Sequence, residues 1–511
     1  MIKILSSEQF RNADRFTIEH EPVAAIDLME RAAQKFCDMY GRLSVQGVNY
    51  IFCGHGNNGG DGLAIARILS QNKHEVNIFI LKSANYSYDF LMNLSRLKKI
   101  QGISVSYIES ENDFLNIEFQ PGDKITEQAA HTPVIVDALY GTGLNKPVTG
   151  VAAKLIAFLN KQNAVRVAVD IPSGLSADHH TEGICFQADH TITFHAPKLS
   201  FFFPENYKST GDIHVADIQL DKNFISSLSS RNFLIERRDV QQRIKPRKKF
   251  DHKGTYGHAF IHAGNTGKMG AAILCAKACA RMGAGLTTVL LPENQSAVLN
   301  ISLPEVMTEE YQGENIPDDL KKYTAFAFGP GIGTTDKSKR IFLSLLKKIS
   351  SPVVLDADAL NILSKKKNRW TLIPKNSILT PHLKEFERLA GKSLNWEERH
   401  RLQVRLSEEH FLCIVLKGAN TCITTPDGIS YFNSTGNPGM AKGGSGDVLT
   451  GMIVSLLAQS YSPEDACIAG VYLHGLAADL AVKDQSEPSL LATDIIKNIG
   501  NGYNSLLDLK K

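Results

Sequence analysis

A glycine-rich turn runs directly into a helical pattern in the stretch Asn437-Pro438-Gly439-Met440-Ala441-Lys442-Gly443-Gly444-Ser445-Gly446-Asp447-Val448-Leu449-Thr450-Gly451. Four glycines lie within residues 439–447, so backbone N–H groups can approach an anion with no Cβ in the way. From Val448 the apolar residues recur at i, i+3 and i+4, which predicts a helix with one buried face. A flexible turn that opens onto a helix N-terminus binds phosphate oxygens. Asp447, in the first helical turn, is placed to act on whatever approaches that phosphate.

Upstream of this turn, the second half of the chain contains several short apolar runs that end in polar or glycine-rich residues. The strand-like run 258–263 and the helical pattern 271–282 come first. They are followed by Phe326-Ala327-Phe328-Gly329-Pro330-Gly331-Ile332-Gly333, Val353-Val354-Leu355-Asp356-Ala357-Asp358-Ala359-Leu360, Ile378-Leu379-Thr380-Pro381-His382 and Ile414-Val415-Leu416-Lys417-Gly418-Ala419-Asn420-Thr421. Taken singly these are weak signals, and a lone histidine such as His382 is more often a satisfied core residue. Together they place candidate site residues at one edge of a sheet.

The first half alternates in the same way between short apolar runs and helical patterns. After helical patterns within 8–37, the alternation covers 48–53, 63–69, 76–81, 134–139, 151–159 and 165–171. Strand, helix, strand in this rhythm predicts parallel strands with crossover helices, hence a doubly wound α/β sheet. Ligands of such sheets bind at the carboxyl ends of the strands, so polar residues there are the candidates.

The first of these strands leads into Gly54-His55-Gly56-Asn57-Asn58-Gly59-Gly60-Asp61-Gly62. The spacing satisfies GxGxxG between a strand and a helix, which suggests a dinucleotide site of the dehydrogenase type. That fingerprint also requires an acid at the end of the second strand, whereas Glu75 precedes that strand. The simpler alternative is a plain Asn-Gly turn.

Two further strands of this half end in an aspartate followed by turn residues. They are Val134-Ile135-Val136-Asp137-Ala138-Leu139-Tyr140-Gly141-Thr142-Gly143-Leu144 and Val167-Ala168-Val169-Asp170-Ile171-Pro172-Ser173-Gly174-Leu175. A single such aspartate is as often a turn former as a functional group. Asn58, Asp137 and Ser173 offer only oxygen ligands, which suits a hard cation, and Asp170 is a candidate proton-transfer group.

Composition and charge limit the classes of protein to which this chain can belong. The 511 residues are 43% hydrophobic and 21% charged, which is ordinary for a soluble chain of more than one domain. A net charge of +3 does not indicate a nucleic-acid or membrane partner. The eight cysteines form no CxxC, which favours reduced thiols in the cytoplasm, and no apolar run reaches membrane-spanning length. We therefore expect a cytoplasmic protein that takes small-molecule substrates, most simply as a homo-oligomer.

Basic residues accumulate where the apolar alternation fades, and we interpret 231–245 as a solvated linker. This predicts two α/β domains, 1–230 and 246–511. The alternative for the charge run is a patch that binds a polyanion.

The motifs GNNGGDG (56–62), VDALYGTGL (136–144) and VAVDIPSGL (167–175) resemble the NAD(P)H-hydrate epimerase family, also called the YjeF N-terminal domain, a Rossmann-like three-layer sandwich. The resemblance implies that Asn58, Asp137 and Ser173 hold a potassium ion and that Asp170 is catalytic. Thr193-Phe194-His195-Ala196-Pro197-Lys198 also matches the family, and Lys198 either meets a phosphate or is solvated. The implied hydrate-binding residues are Asn57, Asn58, Gly59, Gly60, Asp61, Gly141, Thr142, Gly143, Leu144, Asn145, Lys146, Pro147 and Asp170.

The ordered motifs of the second half resemble the ribokinase-like superfamily, and within it the ADP-dependent NAD(P)H-hydrate dehydratase family. The family usually has Gly where this chain has Lys384, so the backbone near His382 is expected to differ. The resemblance implies that Asp447 is the catalytic base and that ADP and Mg²⁺ are used. The implied hydrate-binding residues are Ala271, Gly331, His382 and Asp447, and the implied ADP-binding residues are Lys417, Gly418, Ala419, Asn420, Thr421 and Gly446.

Together the two resemblances imply a bifunctional enzyme that repairs hydrated NADH and NADPH. The first half would interconvert the R and S epimers of the hydrate, and the second would dehydrate the S epimer at the expense of ADP. Two other interpretations stay open. The second half could be a vitamin or sugar kinase of the same fold, and the first half a nucleotide-binding regulatory module.

Overall fold

The computed structural model describes residues 1–21, 23–43, 45–100, 102–120 and 132–508. The chain forms two compact units: an N-terminal unit, Lys3–Ser230, and a C-terminal unit, which joins Met1–Ile2 to Arg231–Lys511. Each unit is an α/β fold, and the predicted two-part α/β class is confirmed. A two-residue strand, β1 (Ile2–Lys3), opens the chain.

Seven strands of the N-terminal unit, counted over its described residues, form one parallel sheet in the order β4-β3-β2-β5-β6-β7-β8. The strands are β2 (Asn49–Cys53), β3 (Val76–Leu81), β4 (Ser104–Ile108), β5 (Val134–Ala138), β6 (Val165–Val169), β7 (His190–Phe194) and β8 (Asp212–Ala216). The helices are α1 (Ser7–His20), α2 (Ala25–Tyr40), α3 (Asn57–Gln71), α4 (Tyr88–Leu97), α5 (Asn112–Leu115), α6 (Gly150–Leu159), α7 (Tyr207–Thr210) and α8 (Lys222–Ser227).

Alternate residues of the central strand β2 pack into two different cores, because successive side chains of a strand point to opposite faces. Ile51 and Cys53 join the core formed with α2, α3 and α4. Tyr50 and Phe52 join the core formed with α6 on the other face. The sheet is thus covered on both sides. The order of the strands reverses between β2 and β5, which makes their carboxyl ends the expected ligand site.

The sheet of the C-terminal unit has the order β1-β9-β18-β17-β16-β15-β14-β13-β10-β11-β12. Its further strands are β9 (Asn232–Leu234), β10 (His258–His262), β11 (Leu286–Pro292), β12 (Met307–Tyr311), β13 (Ala325–Phe328), β14 (Val353–Leu355), β15 (Ile378–Leu379), β16 (Cys413–Leu416), β17 (Cys422–Thr424) and β18 (Ser430–Phe432). Its helices are α9 (Arg237–Arg243), α10 (Met269–Met282), α11 (Ser296–Ser302), α12 (Asp336–Lys347), α13 (Ala357–Ser364), α14 (Arg369–Leu372), α15 (Leu383–Ala390), α16 (Trp396–His410), α17 (Ser445–Ala458), α18 (Pro463–Ala481) and α19 (Ala492–Leu506).

Strands β10 to β16 of this sheet are parallel to one another, β16 then pairs antiparallel with β17, and helices cover both faces. Ala259 and Ile261 of β10 pack with α10, α17 and α18, whereas Phe260 packs with α12 and α13 on the opposite face. The order reverses between β10 and β13, so the second expected ligand site lies at their carboxyl ends. None of the helices in the described part of the chain combines the length and apolar character needed to cross a bilayer.

The structure differs from the sequence interpretation at the basic segment 231–245. Its residues form β9 and α9, with β9 pairing in parallel with β18, so the segment belongs to the C-terminal unit. Ile235 and Val240 are fully buried, and Arg243 pairs with Asp465. Ile235 and Val240 anchor the segment in the core, and Arg243 forms an ion pair with Asp465. The prediction of a solvated linker is therefore wrong. The limits of separately folding domains stay a prediction.

Helices α10 and α17 cross in close contact because α17 carries a glycine at the crossing. A Cβ at Gly451 would lie 2.0 Å from the carbonyl oxygen of Cys275 and 3.0 Å from Cβ of Ala278. This contact holds the helix that begins with the glycine-rich turn against the core of its unit.

Gly451→Ala should therefore destabilise the C-terminal unit by about 1–3 kcal/mol through overpacking. Gly500→Ala, in α19 and with open space around its Cβ, is the matched control and should be neutral or stabilising. Both tryptophans of the chain, Trp370 and Trp396, lie in this unit, so urea unfolding followed by tryptophan fluorescence reports on it alone. Equal stabilities of the two variants would contradict the packing argument.

Candidate active sites

A cavity of about 550 Å³ opens where the strand order of the N-terminal sheet reverses. Its walls come from the loop after β2, the loop after β5 and the residue after β6, together with α1, α2 and α4. Predicted site residues that line it are Asn57, Asn58, Asp61, Gly141, Thr142, Gly143, Leu144, Asn145 and Asp170. The structure thus gathers three sequence motifs, spread over residues 56–175, around one cavity of a size suited to a small-molecule ligand.

Four residues predicted to bind the hydrate do not line this cavity. A Cβ at Gly59 would meet the carbonyl oxygen of Gly54 at 2.0 Å, and one at Gly60 would meet Met29 at 2.9 Å. These two glycines let α3 approach its neighbours, which is a packing role. Lys146 is exposed and Pro147 packs near Gly183.

Three buried polar residues lie at this edge of the sheet: Asn58 in the first turn of α3, Asp137 in β5 and Ser173 in the loop after β6. The Ser173 amide donates to one carboxylate oxygen of Asp137 at 2.7 Å, and the Ser173 hydroxyl donates to the other at 2.6 Å. Asn58 donates from its amide nitrogen to the carbonyl of Val169, whereas its Oδ1 is buried with no hydrogen-bond partner in the described residues. Burial raises the pKa of Asp137 to about 6, and the Ser173 hydrogen bonds oppose that rise. The arrangement leaves one buried oxygen, Oδ1 of Asn58, without a hydrogen-bond partner among the described residues.

Asp170 is held in a strained conformation by several donors. Its φ is +66°, in the left-handed region that non-glycine residues seldom occupy. Its carboxylate accepts from Nζ of Lys198 at 2.5 Å, from the Phe194 amide at 2.9 Å and from the Thr193 hydroxyl at 3.2 Å. Lys198 is only 1% exposed and its ammonium lies 4.5 Å above the Phe10 ring. Both sequence interpretations of Lys198, as a solvated side chain and as a phosphate ligand, are replaced by an ion pair with Asp170.

Three more carboxyl groups line the same cavity: Asp61 from α3, Asp14 from α1 and Asp89 from α4. Burial, and then the charge of Asp170, raises the pKa of Asp14 to about 6. Burial, followed by Asp170, Asp14 and Asp89, raises the pKa of Asp61 well above its usual range. Asp14 and Asp89 carried no catalytic assignment at the sequence level, because only folding brings α1 and α4 to this edge.

The second site lies at the carboxyl edge of the C-terminal sheet. After β13, Gly329, Gly331 and Gly333 have φ of +129°, +67° and +79°, so this loop takes turns that only glycine adopts freely. A Cβ at Gly331 would lie 3.0 Å from Cβ of Ala271, the third residue of α10. The predicted partners Gly331 and Ala271 are therefore neighbours at the switch between β10 and β13.

A buried ion pair connects the ends of β14 and β16 to α17. Nζ of Lys417 donates to Oδ1 of Asp356 at 2.8 Å, and the hydroxyl of Thr450 donates to Oδ2 of the same carboxylate at 2.7 Å. Asp356 is 1% exposed. A Cβ at Gly446 would lie 3.2 Å from the Lys417 ammonium. A glycine at this position therefore keeps the space beside the ammonium free of side-chain atoms. The predicted pair Lys417 and Gly446 is thus brought together.

Asp447 projects from the first turn of α17 beside this pair. The cap residue Gly444 has φ of +93° and supplies no side-chain cap, which leaves this helix terminus available to an anion. Burial, then the charge of Asp356, raises the pKa of Asp447 to about 7, and Lys417 opposes the rise. A carboxyl group with a pKa near neutrality is suited to proton transfer.

The remaining predicted residues of this half lie on two adjoining loops. His382 caps α15 by accepting from the Glu385 amide at 3.3 Å, and half of its side chain is exposed, so it is not a core histidine. Lys384 lies in the regular first turn of α15. The main chain of Lys417 donates to Pro381 at 2.9 Å. Gly418 and Thr421 hydrogen-bond across a turn whose residue Ala419 is exposed.

Sequence reasoning missed three contributors to this site: Asp356, Thr450 and His474. Asp356 and Thr450 lie inside the motifs 353–360 and 437–451. Their carboxyl and hydroxyl groups were the signal that could have identified them as site residues. His474 is buried in the apolar helix α18, with Nε2 3.4 Å from the Ser445 hydroxyl. Burial lowers the pKa of His474 to about 4, so its ring is neutral beside the glycine-rich turn. Nothing in the local sequence distinguishes it from a core histidine.

Two family models match the chain, one over each half. Residues 25–200 match the model described as the YjeF-related protein N-terminus, and residues 259–501 match that of NAD(P)H-hydrate dehydratase. The bifunctional NAD(P)H-hydrate repair enzyme Nnr of Moorella thermoacetica is 33% identical over 513 residues, covering 96% of this chain and 95% of the relative. The chain belongs to the family of bifunctional NAD(P)H-hydrate repair enzymes.

Other comparisons extend over the whole chain or its second half. The enzyme of the same name from Thermofilum pendens is 31% identical, with 99% of this chain and 97% of the relative covered. A crystal structure of an ADP/ATP-dependent NAD(P)H-hydrate dehydratase from Bacillus subtilis, co-crystallized with ATP/Mg2+, is 32% identical. It covers 54% of this chain and 98% of that one, with a TM-score of 0.49.

Asp356→Asn should lower the pKa of Asp447 by about 1, because it removes a neighbouring negative charge and leaves Lys417 to face Asp447. Asparagine keeps the size of the side chain and an oxygen for the Thr450 hydroxyl. Carboxyl ¹³C NMR of aspartate-labelled protein measures this pKa, with Asp447→Asn used to assign the signal. Asp465→Asn, which removes the surface partner of Arg243, is the control and should change nothing. An unchanged Asp447 pKa in Asp356→Asn would refute the coupling.

Proposed function

We propose that the chain restores hydrated NADH and NADPH in two steps, one in each unit. The N-terminal unit interconverts the R and S epimers of the hydrate. The C-terminal unit dehydrates the S epimer with ADP, giving the reduced nucleotide, AMP and phosphate. The observation that carries this proposal is Asp447, a carboxyl group with a pKa near 7 at an open helix terminus beside the Lys417 ammonium.

The dehydration is difficult because hydroxide is a poor leaving group, whereas a phosphate ester leaves readily. The Asp447 carboxylate accepts the proton of the C6 hydroxyl as the hydroxyl oxygen attacks the terminal phosphate of ADP. The O–P bond to AMP breaks, and the hydrate then carries a phosphate on C6. Loss of that phosphate and of a proton from C5 restores the reduced ring. One epimer alone presents its hydroxyl to Asp447.

Nucleotide phosphates suit the C-terminal site for two physical reasons. The N–H groups at the start of α17 and the Lys417 ammonium both favour negative charge at this place. Gly446 allows the phosphate to approach both of them. Lys417, Gly418, Ala419, Asn420, Thr421 and Gly446 are the proposed ADP contacts, and Ala271, Gly331 and His382 position the hydrate.

Mg²⁺ would neutralise the phosphates. No group of three or more histidine, cysteine, aspartate or glutamate side chains suited to a metal exists among the described residues, so the ion would be held mainly by the phosphates.

Potassium fits the oxygen site of the N-terminal unit. The unpartnered Oδ1 of Asn58, the Asp137 carboxylate and the Ser173 hydroxyl are the residues that would hold it. A bound cation would fix the loops after β2, β5 and β6 around the cavity. Location in the cytoplasm and assembly into homo-oligomers stay predictions.

The kinase interpretation of the C-terminal unit is not favoured, since the relatives that match the whole chain carry the name of the repair enzyme. A kinase would transfer phosphate to a vitamin or sugar and leave it there. Supplying hydrated NADH, hydroxymethylpyrimidine or ribose with ADP or ATP in parallel distinguishes the two activities.

A matched pair of variants tests the division of labour. Asp447→Asn should slow the ADP-dependent return of reduced-nicotinamide absorbance by about 10²–10⁴-fold and leave epimer interconversion intact. Asp170→Asn should do the reverse, stopping interconversion while the S epimer is still dehydrated. Chromatography of both epimers and of the product follows each step. Wild-type dehydration in Asp447→Asn would exclude the phosphorylation scheme.

Potassium should slow hydrogen exchange of the backbone amides in residues 54–62, because it fixes the turn that carries Asn58. The comparison is wild-type protein in potassium chloride against choline chloride, measured by mass spectrometry. Asn58→Ala should remove the protection, whereas Asn72→Ala, at the other end of α3, should retain it. Protection that persists in Asn58→Ala would argue against this site.

A further inference from the structure

The acids of the N-terminal cavity have very unequal surroundings. Asp170 receives three hydrogen bonds, one of them from the buried ammonium of Lys198. Asp61 lines the same cavity but has neither a hydrogen bond nor an ion pair within the described residues. One aspartate is therefore paired with a buried ammonium, and the other lies among acidic neighbours with no cation paired to it.

We propose that Asp61 is the proton donor of the epimerase reaction and that Asp170, held by Lys198, is the proton acceptor. This assignment rests on the proposed function of the N-terminal unit. Lys198 is a positioning residue, since its ammonium donates to Asp170 and to the carbonyl groups of Phe194 and Ala196.

The reaction balances without any redox partner. The Asp61 carboxyl group donates its proton to the C6 hydroxyl, the C6–O bond breaks, and water leaves as the lone pair of the ring nitrogen N1 forms a C6=N1 double bond. Water then attacks C6 from the opposite face, passes a proton to the Asp170 carboxylate and returns the electron pair to N1. The reverse direction uses the same two groups with their roles exchanged.

The charges around Asp61 support its role as the protonated acid. Besides Asp61, the titratable groups that line the cavity are Arg11 and Asp14 of α1, His55 after β2, Asp89 of α4, Tyr140 after β5, Asp170 after β6, and His195 and Lys198 after β7. Burial contributes most to the raised pKa of Asp61, and the named charges that follow, Asp170, Asp14 and Asp89, all act in the same direction. Arg11 is exposed, and the ammonium of Lys198 is engaged by Asp170.

Neither of the other two acids fits the donor role as well. Lys198 lowers the pKa of Asp14, which stays at about 6, so Asp14 is mostly ionised at neutral pH. Asp89 is shifted by burial alone. Asp61 lines the cavity with no hydrogen bond or ion pair in the described residues, and burial and three acidic neighbours all raise its pKa, so it is the candidate donor.

The test compares epimer interconversion by full-length wild type, Asp61→Asn and Asp61→Glu over a range of pH. We expect Asp61→Asn to be slower by about 100-fold or more, and Asp61→Glu to recover part of the rate because it can still donate a proton. A donor must be protonated, so the wild-type rate should fall as pH rises through the raised pKa of Asp61. Asp61→Glu should keep this fall, and the residual rate of Asp61→Asn should lack it.

Asp38→Asn, on the exposed side of α2, is the matched control and should retain the wild-type rate. Infrared spectroscopy gives a readout independent of turnover: the difference spectrum of wild type minus Asp61→Asn at neutral pH should contain the band of one protonated carboxyl group. A wild-type rate in Asp61→Asn, or the absence of that difference band, overturns the assignment. A wild-type protein that leaves the epimers unequilibrated would instead refute the proposed function of the unit.

Discussion

A parallel sheet covered by helices on both faces has room for chemistry only at the ends of its strands, and both units obey this constraint. Their central strands are buried, so a polar side chain within them has no water and must find a partner inside the protein. Glycines, aspartates, asparagines and serines therefore collect after the strands. The two reversals of strand order, between β2 and β5 and between β10 and β13, open the edge at two places. Each place carries one of the two sites.

Both sites hold several aspartates close together, and both stabilise them in a similar way. In each, a lysine neutralises one aspartate: Lys198 pairs with Asp170, and Lys417 pairs with Asp356. In each, a second aspartate nearby has a raised pKa, Asp61 in one and Asp447 in the other. The roles of the paired acids differ, since Asp170 faces the cavity whereas Asp356 is a buried support that also accepts from Thr450. Pairing one acid with a lysine and burying its neighbour raises the pKa of the unpaired acid in each site.

Strong local signals predicted much of the fold and the shared edge of each site. The runs 48–53, 76–81 and 134–139 form strands whose limits lie within one residue of the prediction. A short run of apolar residues is enough to specify a buried strand, without information from distant parts of the chain. The hairpin β17 and β18 was missed although Thr425-Pro426-Asp427-Gly428 is a turn signature between its strands. The segment 231–245 was wrongly predicted to be a linker, because its many charged residues obscured Ile235 and Val240, the two buried apolar residues that anchor it. Lys198 and His474 could not be placed from sequence, because their partners are distant in the chain or hidden in apolar helices.

The most direct measurement supplies full-length protein with a mixture of R and S epimers of hydrated NADH, together with ADP and Mg²⁺, and follows all species by chromatography. Two cooperating sites predict that both epimers disappear completely, with one NADH, one AMP and one phosphate formed for each molecule of hydrate. A reaction that stops once the S epimer is consumed, with the R epimer left unchanged, would contradict the proposed pairing of the two units.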